Sequence, residues 1–332
     1  MTAGTFASQR GYFFVVGSPR SGTTLLQSML MRAPGVTIPP ETHFMNITWQ
    51  RRGKMPDLRT DAGWERAVTA VRARTVQDEI ELSDASFDRR VESCPRTYAD
   101  LLRAWLDAIG DHEGARVVGE KSPGHTAFVT ELAAAMPGAK FIHIVRDPRD
   151  VVLSQKEVFG RPAILSALRW RLDLRHHHDA ERLLPRDRYR LVKYEDLVAD
   201  PESAIRPLAE FLGLTYSDEM INPGERDKAG FSSMETHKLQ TLEKVTTGRI
   251  GRYKGKLSKG DIAATERLCA ELMRGLGYEL ENSSTAYGTT MLALRAPGAV
   301  LERFRRTRSR DRKLDHAAET GQAVYGPKAA DA

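Results

Sequence analysis

The sequence predicts an α/β protein of three layers, α/β/α, with helices on both faces of a mostly parallel sheet of four or five strands. Two observations carry that prediction. Apolar, β-branched runs recur at 12–16, 115–118, 140–145 and 189–194, and near-continuous apolar runs mark strands buried on both faces. Between them lie stretches with helical spacing that stop at Pro137-Gly138, Pro185 or Gly213, residues that end helices. A chain of 332 residues is long enough for one sizeable domain of this kind. That domain is expected to span residues 1–280, with 281–332 a linker and basic tail.

The first strand runs into Gly17-Ser18-Pro19-Arg20-Ser21-Gly22-Thr23-Thr24, after which Leu25, Leu26, Met29 and Leu30 follow at helical spacing. Such a junction cradles anions, because the first N–H groups of a helix lack partners and carry the positive end of its dipole. Gly17 and Gly22 let the backbone turn closely, Ser21, Thr23 and Thr24 add hydroxyl donors, and Arg20 adds a cation. The Gly17-to-Gly22 spacing is that of a nucleotide-binding P-loop, whose lysine reaches the β- and γ-phosphates. Thr23 stands in the lysine's place. One phosphate at that point fits better than a triphosphate.

Pro34-Gly35 breaks the chain, and Pro39-Pro40 then stiffen a loop that carries Glu41, since residues before prolines are pushed to extended conformations. A carboxylate in such a place can take a hydroxyl proton. Residues 49–111 are charged and mostly helical, with Trp64, Val68 and Val71, then Tyr98, Leu101, Leu102, Trp105 and Ile109, at helical spacing. The strand near 115–118 ends in a polar turn at Lys121, and ligand groups gather at the carboxyl ends of such strands. A helix is expected over 125–136. The next strand, 140–145, enters Arg146-Asp147-Pro148-Arg149-Asp150, where Asp147 suits an N-cap and Pro148 the first helical position. Ser154 lies two turns further, on the face that returns towards Arg146. A long helix over 163–184 carries His176-His177-His178, which point in three directions and read as solvated surface rather than a zinc site. The strand 189–194 meets a turn at Glu195-Asp196-Leu197, and helices follow over 201–212 and 261–275. Between them, 230–259 is irregular and basic, with glycines between Arg249, Arg252, Lys254 and Lys256. Loops this long are usually functional or disordered.

The first loop, G-x-P-R-S-G-T-T-L-L, and the later strand–R-D-P-R-D–helix–Ser block together resemble the sulfotransferases that use 3′-phosphoadenosine 5′-phosphosulfate (PAPS). Within them the chain is most similar to the tyrosylprotein sulfotransferase branch and its bacterial relatives. The resemblance implies a P-loop NTPase-like sulfotransferase fold and transfer of a sulfuryl group from PAPS to an acceptor hydroxyl. It places Arg20, Ser21, Gly22, Thr23 and Thr24 on the 5′-phosphosulfate, and Arg146 with Ser154 on the 3′-phosphate. A guanidinium suits that task because its fork holds two phosphate oxygens at once. Tyr194 corresponds to a contact near the adenine, Arg252 replaces a nucleotide-contacting lysine, and Tyr253 a tryptophan. Glu41 corresponds to the catalytic base, while Lys121, with Arg20, stabilises charge developing in the transition state. No metal is required, since the cations are side chains. A serine that assists transfer in the tyrosylprotein branch belongs near Ser232, Ser233 and Thr236, none of them cleanly in register. The acceptor is a sugar, glycolipid, phenol or other alcohol. Peptide tyrosine is disfavoured, because His43 stands where that branch has a basic residue and its disulfides and membrane anchor are missing.

A net charge of +6 suits an anionic ligand. Cys94 and Cys269 show no metal or redox spacing and read as ordinary thiols. Residues 1–10 lack the features of a signal peptide and no stretch is long enough to span a bilayer, so the expected location is cytoplasmic. Residues 299–313 hold seven cations beside Val300, Leu301 and Phe304. They suit a solvated basic helix or contact with an acidic membrane surface. Nucleic acid is not an expected partner, because stacking aromatics are not interleaved with the cations. Two rival functions remain: a P-loop kinase or NTPase, opposed by Thr23, and a non-catalytic nucleotide-binding protein.

Overall fold

A computed structural model describes residues 10–54, 57–77, 79–221, 245–281, 286–298 and 300–301. Its centre is a parallel sheet in the order β2-β3-β1-β4-β5, formed by β1 (Gly11–Val16), β2 (Val36–Thr37), β3 (Val117–Lys121), β4 (Lys140–Val145) and β5 (Tyr189–Lys193). Every neighbouring pair is parallel, with Val15 opposite Lys121 on one side of β1 and Ile142 on the other. From β1 the chain builds outward to β2, returns through β3, then crosses to β4 on the far side. The carboxyl end of β1 is therefore a switch point, where ligand crevices form in open α/β sheets.

Side chains alternate across a strand, and β1 uses both faces. Phe14 and Val16 enter one core with α3 (Asp61–Gln77), α4 (Asp84–Ser93) and α5 (Tyr98–Glu113), Phe14 stacking on Phe141 at 5.2 Å between centroids. Phe13 and Val15 enter a second core with α1 (Thr23–Leu30) and α10 (Pro201–Leu212). Both sheet faces are thus covered, which explains why the strands read as continuous apolar runs. A third core joins Val145 to α7 (Pro148–Phe159), α8 (Ala163–Leu183) and α11 (Lys259–Gly275), with Trp170 at its heart donating its indole N–H to the Arg146 carbonyl at 2.9 Å.

Several local expectations are corrected. Residues Pro123–Phe128 form a 3₁₀ turn, and the helix, α6 (Val129–Ala135), begins only after it. The Tyr-Glu-Asp-Leu segment is a short helix, α9 (Tyr194–Ala199), rather than a turn. Within the stretch 281–332 expected to be linker and tail, residues 286–298 are helical. His177 is not solvated: α8 turns it inward, 3% exposed, with its Nδ1 2.9 Å from the Tyr189 hydroxyl. The candidate hydroxyls Ser232, Ser233 and Thr236, and the tail from 302, lie outside the described residues. Among the described residues, no helix is long and apolar enough to cross a membrane.

Candidate active site

Three loops meet at the carboxyl ends of β1, β3 and β4. The first turns on Gly17 and Gly22, both at positive φ, +146° and +98°. A Cβ on Gly17 would lie 2.3 Å from the Ile144 carbonyl oxygen, and one on Gly22 2.4 Å from the Tyr194 ring. Only glycine tolerates both the dihedral and the crowding. Arg20 also takes a left-handed conformation, φ 76°, which is uncommon for a side chain of its size. Thr23 and Thr24 open α1 directly after Gly22, both buried.

Arg20 and the β4–α7 junction come together as a unit. The Arg20 Nε donates to Ser154 Oγ at 3.1 Å, and the Arg146 Nη1 donates to the Arg20 carbonyl at 3.4 Å. Arg146 also donates to the Arg249 carbonyl, pairs with Asp150 at 3.5 Å, and lies 4.4 Å above the Tyr194 ring centroid. Tyr194 thus touches the glycine loop at Gly22 and carries the Arg146 guanidinium over its ring, a favourable cation–π arrangement. Among the described residues, the buried Ser21 Oγ and Arg146 Nε have no hydrogen-bond partner in the protein. Buried polar atoms left so are costly, and both suit the oxygens of an anionic ligand.

The two arginines of Arg146-Asp-Pro-Arg149 take different work. Arg149 is buried between Asp147 and Glu266, at 2.7 Å from each, and stacks 4.4 Å from the Tyr253 ring centroid. It clips α7 to α11. Asp150 accepts from the backbone N–H of Gly251 at 2.8 Å and of Tyr253 at 2.9 Å, which lays the basic loop along α7. Arg252 sits on that loop with its guanidinium on Glu157, 2.9 Å away.

Beside the first loop, Lys121 Nζ lies 2.6 Å from Glu41 Oε1, the lysine fully buried and the carboxylate 14% exposed. Each charge compensates the burial of the other. His43 Nε2 approaches Glu41 Oε2 at 3.3 Å. Burial pushes the His43 imidazolium down to about 3, with Glu41 opposing and Arg74 adding to the shift, so a neutral ring faces the carboxylate. A carboxylate held in this place can take a proton from a hydroxyl brought within hydrogen-bond reach.

Sequence reasoning missed the buried Glu120. Its Oε1 accepts from Thr42 Oγ1 at 2.8 Å and from Ser122 Oγ, and its Oε2 lies 2.8 Å from His125 Nδ1. The one available signal was an acid standing inside the apolar run that begins at Val117-Val118.

The fold and this junction define an α/β protein with a glycine-bounded, hydroxyl-rich loop at the sheet's switch point, Arg20 and Arg146 joined beside it, and Lys121 at the end of β3 paired with Glu41 of the loop after β2. Residues 13–218 match the sequence profile of the sulfotransferase family, and the chain belongs to that family. Over 83% of its length it is 28% identical to protein-tyrosine sulfotransferase 1 of Danio rerio, of which the match spans 74%. It is 25% identical to the Drosophila melanogaster protein-tyrosine sulfotransferase, where it spans only 53% of that protein. The sulfotransferase domain from the Synechococcus PCC 7002 olefin synthase superposes with a TM-score of 0.59, at 24% identity, over 81% of this chain and 95% of that one. That likeness establishes the shared fold.

Proposed function

We propose that this chain transfers a sulfuryl group from PAPS to an acceptor hydroxyl. The observation that carries this is the Arg20–Ser154–Arg146 junction, which joins two anion-binding loops 134 residues apart in sequence next to the Glu41–Lys121 pair. The donor supplies an activated sulfuryl group attached to a phosphate that can leave. Arg20, the hydroxyls of Ser21, Thr23 and Thr24, and the first amides of α1 hold the 5′ end. Arg146 and Ser154 hold the 3′-phosphate, Tyr194 supports the base side, and Arg252 with its loop closes over the nucleotide. The orphaned Ser21 Oγ and Arg146 Nε fit this occupant. Glu41 takes the acceptor proton, and Lys121 with Arg20 supplies positive charge where negative charge grows, in a site whose dipoles are already oriented.

The acceptor is a hydroxyl compound, a sugar, glycolipid, phenol or other alcohol, in preference to peptide tyrosine, because His43 stands where the tyrosylprotein branch has a basic residue. Residues 1–280 form the catalytic domain. The helix at 286–298 leads into a cationic tail suited to an anionic membrane surface, with Leu294 68% and Leu301 61% exposed. A cytosolic location, where the donor is supplied, fits the same scheme.

Titration with 3′-phosphoadenosine 5′-phosphate (PAP) and with ATP tests the nucleotide assignment. PAP is expected to bind well and ATP weakly. Tight ATP and weak PAP would favour a kinase instead. Incubating cell extract with labelled PAPS, followed by mass analysis of whatever gains sulfate, identifies the acceptor.

A further inference from the structure

We infer that Glu120 is a positioning residue that sets the Glu41 loop, and with it the base, against the donor loop through the turn at Ser122–Thr126. It rests on Glu41 being the base, as proposed above. The side chain is fully buried at the end of β3, next to Lys121, and reaches the Glu41 loop in three ways. Thr42, the residue after Glu41, donates its hydroxyl to Glu120 and accepts the Phe44 N–H at 3.2 Å. Ser122 donates to Glu120 and accepts the His43 N–H at 3.0 Å. His125 takes its Nδ1 to Glu120, while its Nε2 accepts the Met45 N–H at 3.1 Å. Because Nε2 accepts, the ring carries its proton on Nδ1, and that proton goes to the carboxylate.

One carboxylate thus orders the backbone of three residues, 43 to 45, through three side chains. The same turn also holds the donor loop: Thr126 Oγ1 accepts the Gly17 N–H at 2.8 Å and donates to the Pro123 carbonyl at 2.9 Å. Base loop and phosphate loop are therefore fastened to neighbouring residues of one 3₁₀ turn. Burial alone would raise the Glu120 carboxyl, yet the His125, Ser122 and Thr42 groups outweigh it and hold it below the usual glutamate range.

The donor and acceptor pattern requires an ionised carboxylate at this point. A glutamine in its place must turn its NH₂ one of two ways. Facing His125, it drives the ring proton to Nε2, which then meets the Met45 N–H head on. Facing Thr42 and Ser122, it forces both hydroxyls to accept, and their own protons lose a partner. Either arrangement leaves buried donors unsatisfied and loosens the loop. Neither group touches the nucleotide grips at Arg20, Arg146 or Ser154.

The experiment compares wild type, Glu120→Gln, Thr42→Val and Thr42→Ser for PAP affinity by calorimetry and for transfer of labelled sulfate from PAPS, across pH, to the acceptor fraction that wild type labels. Thr42→Val keeps the shape and removes the hydroxyl; Thr42→Ser restores it. Glu120→Gln and Thr42→Val are expected to lower kcat by about 10- to 100-fold, the scale of a roughly 1 Å misplacement, with PAP affinity unchanged and the acid limb of the pH profile displaced. Thr42→Ser is expected to recover the wild-type rate and profile. Wild-type kcat and pH profile in Thr42→Val, or equal losses in Thr42→Val and Thr42→Ser, overturn the positioning role. A wild-type chain that binds no PAP overturns this role and the proposed function together.

Discussion

The Nε of Arg20 donates to the Oγ of Ser154 across 3.1 Å, so the loop after β1 and the second turn of α7 share one polar junction. Arg146 completes it from below, stacked on Tyr194. Replacing Arg146 by lysine keeps the charge but removes the fork that can hold two phosphate oxygens. Affinity for PAP is expected to fall about 10- to 100-fold, equivalent to about 1.4–2.8 kcal/mol, with the far-ultraviolet circular dichroism unchanged. Calorimetric titration decides the matter, and undiminished PAP binding would remove Arg146 from the nucleotide site.

Glu41→Gln separates catalysis from stability. Losing the base is expected to lower the transfer rate by about 10²- to 10⁴-fold at similar PAP affinity. The variant also removes a carboxylate partner of the buried Lys121, and breaking a buried ion pair costs about 3–5 kcal/mol, so the melting temperature falls. The double variant Glu41→Gln/Lys121→Met is expected to regain thermal stability without regaining activity. Full transfer activity in Glu41→Gln would move the base elsewhere.

Gly22→Ala forces a Cβ onto the Tyr194 ring at a φ that L residues rarely adopt. A loss of more than about 1 kcal/mol of stability and weakened PAP binding are expected together, since the loop must shift to admit the methyl group. Thermal melts with and without PAP report both effects; a variant with wild-type melting and binding would contradict the close approach seen here.

Acid sensitivity follows from two buried histidines, His143 on β4 and His177 on α8. Burial lowers His177 from 6.5 to about 4, and it lowers His143 well below its ordinary value, helped by the neighbouring His177 charge. Between pH 6.5 and 4 the unfolded chain binds protons at these positions that the folded chain does not, so stability is complete above that window and falls as pH drops through it. His177 alone accounts for roughly 2–3 kcal/mol. Urea unfolding at pH 7 and at pH 4.5 measures the difference, and His177→Phe is expected to flatten it. An unchanged slope would place the acid sensitivity in other groups.

The tail has its own test. Vesicles containing phosphatidylserine are expected to bind the full chain and to release it when residues 299–332 are deleted, with binding weakening as salt rises. Binding that survives the deletion would end the membrane assignment.

The chain's own pattern determined the layers and named the loops that come together in the candidate site. Apolar runs named four of the five strands, and the short β2 escaped because two residues cannot display a period. The phosphate loop was legible because glycine, hydroxyl and cation positions are local, and local spacing survives in one dimension. So was the Asp147–Pro148 start of α7, where a side-chain cap and a proline act within one turn. What only the tertiary structure decided are relations across strands. The family resemblance singled out Arg146, but the different task of Arg149 appeared only when α11 brought Glu266 to it. Solvated His177 and buried His177 have the same neighbours in sequence, and the packing of α8 on the sheet chose between them. The Glu120 network draws on residues 42, 122 and 125, and residue 42 meets the other two because β2 lies beside β3 in parallel register. Hydrogen bonds of that kind are set by where the sheet's carboxyl ends converge, and no spacing along the chain encodes them.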